Sequence, residues 1–298
     1  LQRTAVNKYE FALLKLLGKK LVLMPYGSDS FVYDKIPNLN WRHALSLNYP
    51  DLGNRARSIE SQIQRGTKYA DCIVGCLVHT INLPRVDVLP LVWYPVDVDK
   101  LLPSLPTTNG PIRIAHAPNH RGPKGTKYIL AAVERLLNEG YDVEMILIEG
   151  KTNEQVLEAM RDADIFVDQL IFGYALAAIE GMALGKVVIT GYSPDEPEYA
   201  PFRSFSYFDE CPAVSANTET IYDVLVHLIE KRQQWPQMGA ASRKFAEKRH
   251  SYNSSVSLFQ TIYKKIWEGQ EVDLMNLHTP VPGNKKDHYP KINCGDLL

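Results

Sequence analysis

The sequence predicts an α/β protein of two lobes, the second a parallel sheet with crossover helices. Three observations lead there. At 298 residues the chain is longer than one hydrophobic core usually organises. From Ile112 onward, short β-branched runs alternate with helix-length stretches, the pattern of strand–helix–strand units. Between the halves, Leu102-Pro103-Ser104-Leu105-Pro106-Thr107-Thr108-Asn109-Gly110-Pro111 admits no regular element and marks a linker. The expected organisation is a first lobe at 1–102, a linker at 103–111, a second lobe with C-terminal helices at 112–268, and a tail at 269–298.

In chain order, residues 1–17 read as a helix with Tyr9, Leu13, Leu14 and Leu17 on one face, stopped by Gly18. A strand at 21–25 closes on the turn Tyr26-Gly27-Ser28-Asp29. His43, in Asn40-Trp41-Arg42-His43, falls in a polar loop. A helix at 54–69, a strand at 72–75 and an apolar run at 86–91 complete the first lobe. Beyond the linker the spacing predicts strands at 112–117, 143–148, 165–167 and 186–190. Helices at 126–138, 153–161 and 175–183 alternate with them, and two or three more fill 218–267. In such a sheet the ligand belongs at the carboxyl ends of the strands, where loops meet helix N-termini. Residues 279–298 mix Pro, Gly, Asn and charge without periodicity and read as tail.

Composition removes several function classes. With 45% hydrophobic and 22% charged residues the chain is an ordinary globular one, and 33 basic against 34 acidic side chains leave a formal net charge of -1. That balance gives no global field for nucleic acid, so an anionic ligand must be met locally. Cys72, Cys76, Cys211 and Cys294 match neither a disulfide framework nor a zinc pattern, and Cys72 and Cys76 sit in an apolar run as small hydrophobes. A reducing cytoplasm is the expected setting, with no transmembrane segment; peripheral contact at the inner face of a membrane stays open. No Gly-x-Gly-x-x-Gly turn follows a strand, which argues against a dinucleotide oxidoreductase.

Two elements carry chemistry. The loop Pro118-Asn119-His120-Arg121-Gly122-Pro123-Lys124-Gly125-Thr126 follows a strand, opens onto a helix and holds two fixed cations, the features of a diphosphate cradle. The second is Asp168-Gln169-Leu170-Ile171-Phe172-Gly173-Tyr174-Ala175-Leu176, leading into a helix in which Glu180 is the single ionised residue. A carboxylate among Ala, Leu, Ile, Met and Gly has little solvated face to occupy, and it can accept both hydroxyls of a ribose. Gly173 stands at a helix start, where backbone N–H groups can approach phosphate oxygens unhindered.

The run Ile179-Glu180-Gly181-Met182-Ala183-Leu184-Gly185-Lys186-Val187-Val188-Ile189 resembles the signature of family 4 retaining glycosyltransferases, and Lys124-Gly125 resembles their lysine–glycine pair. The resemblance covers 111–267 well and 21–97 loosely, where Tyr26-Gly27-Ser28-Asp29 takes the place of the family's histidine-glycine-x-aspartate. It implies a GT-B fold of two Rossmann-like lobes, the first acceptor-side and the second holding a nucleotide sugar. It also implies transfer of that sugar to a glycan, lipid-linked or small-molecule acceptor with retention, with no metal and no cofactor beyond the donor. The implied catalytic residues are Lys124, Arg121 and Glu180. His120, Gly125, Asp168, Gln169, Gly173, Tyr174, Ala175 and Leu176 would bind the donor, and Gly27 and Asp29 would lie on the acceptor side.

The chain departs from the family in three places. Phe172 stands where the family has its first glutamate, so that contact to the donor sugar is missing or supplied by Asp168. Arg121 is closer to Lys124 than the family's arginine is to its lysine. The first lobe lacks the opening strands and glycine-rich turn, as if the chain began partway through a domain. Two alternatives follow: a nucleotide-sugar-binding module without turnover, and a nucleotide-sugar epimerase on the same scaffold.

Overall fold

A computed structural model describes residues 9–192 and 196–278. The first lobe opens with helix α1 (Glu10–Leu16) and strand β1 (Val22–Leu23), followed by 3-10 turns at Gly27–Ser30 and Tyr33–Lys35. Helices α2 (Leu39–Asn48), α3 (Asp51–Asn54) and α4 (Ala56–Tyr69) lead to β2 (Cys72–Gly75), a 3-10 segment at Leu77–Asn82 and β3 (Val88–Pro90). The strands pair in parallel in the order β1-β2-β3, with Val22 opposite Cys72 and Ile73 opposite Val88. All four residues of β2 are buried, as a central parallel strand covered on both faces must be. Cys72 and Cys76 are free and buried, packed as the small hydrophobes expected of them.

Helix α2 corrects the sequence reading, which put residues 40–43, His43 among them, in a loop. Asn38 caps the helix, its side chain accepting from the Trp41 N–H at 3.1 Å. Trp41, Ala44 and Leu45, three and four residues apart, form its buried stripe. The run at 86–91 contracts to Val88–Pro90 because Val86 is 99% exposed.

The second lobe follows the predicted alternation. Its elements are β4 (Ile112–His116), the short α5 (Arg121–Lys124), α6 (Thr126–Asn138), β5 (Val143–Leu147), α7 (Asn153–Arg161), β6 (Ile165–Val167), α8 (Leu176–Ala183) and β7 (Val187–Thr190). After these come α9 (Ala200–Phe205), β8 (Val214–Ser215), α10 (Ile221–Glu230), α11 (Trp235–His250) and α12 (Tyr252–Ile266). The five strands are parallel in the order β5-β4-β6-β7-β8. Chain direction across the sheet reverses at β4, which has β5 on one side and β6 on the other, so the switch point of this lobe lies between β4 and β6.

The connecting segment is tied down on the second lobe. Thr107 N–H donates to Asp164 Oδ1 at 2.8 Å, Ser104 N–H to the Leu184 carbonyl at 2.9 Å, and the Arg232 guanidinium to the carbonyls of Thr107, Asn109 and Gly110. The Lys186 ammonium is buried and donates to the carbonyls of Ser104 and Arg161; burial lowers its pKa to about 8. Arg243 holds the carbonyls of Val98 and Leu101 upstream. A second crossing lies beside the first: Val96 bridges Ser251, and Val96 N–H donates to the His250 carbonyl at 2.7 Å. Ile262 of α12 then joins one buried cluster with Ile73 and Val74 of β2 and Met182 of α8. Residues 269–278 carry Leu274 into that cluster, and the rest of the expected tail, 279–298, lies outside the described residues, as do residues 1–8 of the first expected helix. No described helix is long and apolar enough to cross a membrane.

Candidate functional site

A parallel sheet leaves a crevice where the loops after two neighbouring strands turn to opposite faces, and here that crevice follows β4 and β6. The loop after β4 delivers Lys124 and the one after β6 delivers Asp168. Helix α5 ends at Gly125, whose φ of +74° is the left-handed conformation a side chain disfavours; a Cβ there would also come within 3.0 Å of Leu170 Cβ. This turn starts α6 and leaves the Lys124 carbonyl to accept from the Leu170 N–H at 3.2 Å, locking the two loops together. The Lys124 ammonium donates to Asp168 Oδ1, with Lys124 8% exposed and Asp168 fully buried. Asp168 Oδ2 accepts the N–H of Ala175, the cap residue of α8, at 3.2 Å. A lysine ammonium has three donors and Asp168 uses one, so the group can serve an anion as well.

Under this pair lies His116, the last residue of β4, which the sequence reading passed over. A carbonyl can only accept, so its Nδ1–H donates to the Val167 carbonyl of β6 at 2.8 Å, and its Nε2 accepts from the Thr126 hydroxyl at 2.9 Å. The ring is neutral. Burial pulls its pKa down to about 4, with the Lys124 charge pushing the same way and the Val167 bond and Asp168 opposing. His116 therefore braces β4, β6 and the start of α6 without adding charge.

Glu180, on the second turn of α8, is 8% exposed. Its Oε1 accepts from Asn153 Nδ2 at 2.9 Å. Burial raises its pKa above the ordinary carboxylate value and the nearby Asp168 adds to the rise, while the Asn153 bond and the Lys124 charge lower it. Asn153 opens α7, after the third strand-to-helix loop on the same edge of the sheet. The loop rule that pointed to Lys124 and Asp168 points to it equally.

Other expected site residues are placed differently from one another. Arg121 does not join Lys124: its guanidinium forks onto both oxygens of Glu149 at the surface. His120 sets its ring edge-on to Tyr49 of the first lobe, centroids 5.5 Å apart. Gln169 Nε2 donates to the Gly173 carbonyl and so fixes the loop backbone. The Tyr174 ring is fully buried against Phe208 and Phe245, so a contact from this residue to a ligand is limited to its backbone. Leu176 starts α8 half exposed. Gly27 and Asp29 lie in the 3-10 turn after β1, on the first lobe.

That lobe reaches the site through α2. A Cβ on Gly122 would lie 2.7 Å from Asn48 Nδ2, so the end of α2 rests on the loop carrying Lys124. Trp41 packs on Phe172 at 5.9 Å and on Tyr199 at 5.6 Å between ring centroids. Phe172 thus takes part in an aromatic contact between the lobes. Among the described residues, no group of three or more His, Cys, Asp or Glu could hold a metal ion.

No protein-family model matches the chain, and no curated protein matches it. Solved structures do. HepE from Anabaena in complex with UDP-glucose superposes with a TM-score of 0.54 at 9% identity, over 88% of this chain and 76% of that one. A mutant of TarM from S. aureus, in complex with fondaparinux, alpha-GlcNAc-glycerol and UDP, gives 0.53 at 10% identity, over 85% of this chain and 53% of TarM. An alpha-glucosyltransferase bound to UDP-glucose and DNA containing an abasic site gives 0.52 at 11%, over 88% and 77%. These neighbours and the two parallel-sheet lobes make the fold GT-B, as the sequence predicted.

Proposed function

We propose that this protein is a glycosyltransferase that moves a sugar from a nucleoside diphosphate sugar to a glycan, lipid-linked or small-molecule acceptor, with retention of configuration. The observation that carries the proposal is the buried Lys124–Asp168 pair beside Glu180 at the switch point of a GT-B lobe. In such a transfer the bond from the anomeric carbon to the diphosphate breaks and negative charge grows on the departing oxygen. A fixed ammonium in a dry site stabilises that charge more than it stabilises the ground state. Lys124 takes this role. Arg121 joins it by exchanging the Glu149 carboxylate for phosphate oxygens. Glu180 accepts from the ribose, and backbone N–H groups of residues 173–176 face the diphosphate. The second lobe holds the donor and the first presents the acceptor, with Gly27 and Asp29 on that side. Closure of the two lobes about the linker would exclude water, the competing acceptor.

The test is a thermal-shift screen with nucleoside diphosphates and their sugars, followed by assay of donor consumption. A ligand in large excess over its Kd shifts stability by several kcal/mol, roughly 3–4 at 100- to 1,000-fold excess. Sugar release or transfer that disappears in Lys124→Ala and Glu180→Ala supports the proposal. No shift with any nucleotide or nucleotide sugar sinks it.

One observation favours a second reading, a nucleotide-sugar-binding module without turnover: Phe172 replaces a carboxylate and packs on Trp41. Tight nucleotide binding with no sugar released in any acceptor mixture selects that reading.

A further inference from the structure

Asn153 is the first residue of α7, one position past the cap where an asparagine side chain would be tied to the helix end. The cap is Thr152, whose hydroxyl accepts from the Gln155 N–H while Gln155 Oε1 accepts from the Thr152 N–H at 3.1 Å, a complete capping box. The Asn153 side chain is thereby released from local duty, and its amide reaches across to Glu180 Oε1 at 2.9 Å. Asn153 is exposed whereas Glu180 is almost wholly covered, so the amide lies at the mouth of the site and the carboxylate at its floor.

The chemistry of the pair is asymmetric. An amide gives its N–H to the carboxylate and keeps a carbonyl oxygen, Oδ1, that can only accept. The carboxylate, held at Oε1, keeps Oε2, which can also only accept. Two acceptors on adjoining side chains match two neighbouring hydroxyl donors, the arrangement of a ribose cis-diol. A lysine or arginine in place of Asn153 would hold Glu180 as well, but would leave no acceptor beside it. The amide also leaves the Glu180 charge uncancelled, so the carboxylate keeps its strength as an acceptor.

We infer that Asn153 is a positioning and specificity-determining residue: it orients Glu180 and supplies the second acceptor of a clamp that reads both ribose hydroxyls of a nucleoside diphosphate. The inference rests on the function proposed above and deepens it. The clamp selects ribose over deoxyribose and is indifferent to the base.

Binding of UDP, GDP and ADP, and of the 2′-deoxy and 3′-deoxy forms of each, to the full chain by calorimetry tests it. In the wild type both deoxy forms of a nucleotide that binds should be weaker, one by about tenfold or more for the loss of the charge-assisted hydrogen bond to Glu180 and the other by roughly fivefold for the loss of the neutral one to Asn153. In Asn153→Ala the ribonucleotide should weaken by about tenfold and the ribo-to-deoxy ratio should fall toward one for at least one hydroxyl. KM for the donor should rise while kcat stays within about twofold, the signature of a lost ground-state contact. A merely structural Asn153 would leave the ratio untouched. An unchanged ratio in Asn153→Ala overturns the inference alone; equal binding of ribo and deoxy forms by the wild type overturns it together with the ribose role of Glu180, while the sugar transfer itself stands. Absence of binding by any nucleoside diphosphate overturns both.

Discussion

Two ion pairs whose cations stand three residues apart, at the two ends of the short helix α5, behave as opposites. Lys124–Asp168 lies inside, with side-chain exposures of 11% and 0%, whereas Arg121–Glu149 lies outside, at 58% and 36%. The inner pair has been stripped of water, so its two charges depend on each other and removing one strands the other. The outer pair remains solvated and screened, and each partner gives up little on parting. The inner pair is thus part of the fold as well as of the site, while the outer one is free to trade its carboxylate for a ligand. The sequence made both cations equivalent members of one basic loop; depth separates them.

Breaking the inner pair should have the largest effect. Asp168→Ala leaves the Lys124 ammonium buried without a counter-charge and takes an acceptor from the α8 cap, so stability should fall by about 3–5 kcal/mol in urea denaturation. A loss near zero would mean that the pair is solvated and the contrast false. Acid probes the layer beneath. His116 has its folded pKa near 4 against an ordinary 6.5, so an unfolded chain takes up a proton that the native one refuses. Stability from this residue is therefore present above pH 6.5 and lost as pH falls toward 4, by about 3 kcal/mol in all. His116→Asn should show a shallower slope over that interval, and an unaltered slope would remove the ring from the account.

Glu180→Gln sharpens the comparison from the other side. A carboxylate whose pKa is raised by burial is stabilising to the fold only when protonated, so at neutral pH the neutral isostere should be as stable as the wild type or more so. Its nucleotide affinity should nevertheless drop by about tenfold, the loss of a charged acceptor. Parallel loss of stability would make Glu180 a packing residue. Smallest of all, Arg121→Ala should leave the urea midpoint unchanged at moderate salt, because the outer pair is exposed. Its effect should appear in nucleotide binding, as a weaker dependence of affinity on ionic strength.

The second lobe was legible because its strands are short apolar runs, wholly buried in the middle of the sheet at Ile165-Phe166-Val167 and Val187–Thr190, and because helical periodicity fills the stretches between them. Lys124 stood out as a cation between the carboxyl end of a strand and the start of a helix, and Glu180 as a charge in a helix that offers it no ordinary surface. Helix α2 was not legible, because it has only one short buried stripe and that stripe meets the other lobe, through Trp41 against Phe172 and Tyr199. Asn153 was not legible, because its partner Glu180 lies 27 residues away and only the fold brings the two side chains together. The separate fates of Arg121 and Lys124 could not be read from spacing, because exposure depends on Glu149 and Asp168, 28 and 44 residues away.

The two crossings between the lobes lie side by side, at Val96 and Ser251, and the chain from Val98 to Gly110 is fastened along the second lobe by Arg243, Asp164, Lys186 and Arg232. Connectivity is thereby doubled. A protease cut within 103–111 should leave both halves associated, since α12 still carries the chain back onto the first lobe. The same doubling makes that segment a place to open the chain and rejoin it elsewhere, because there the covalent link carries little of what keeps the halves together.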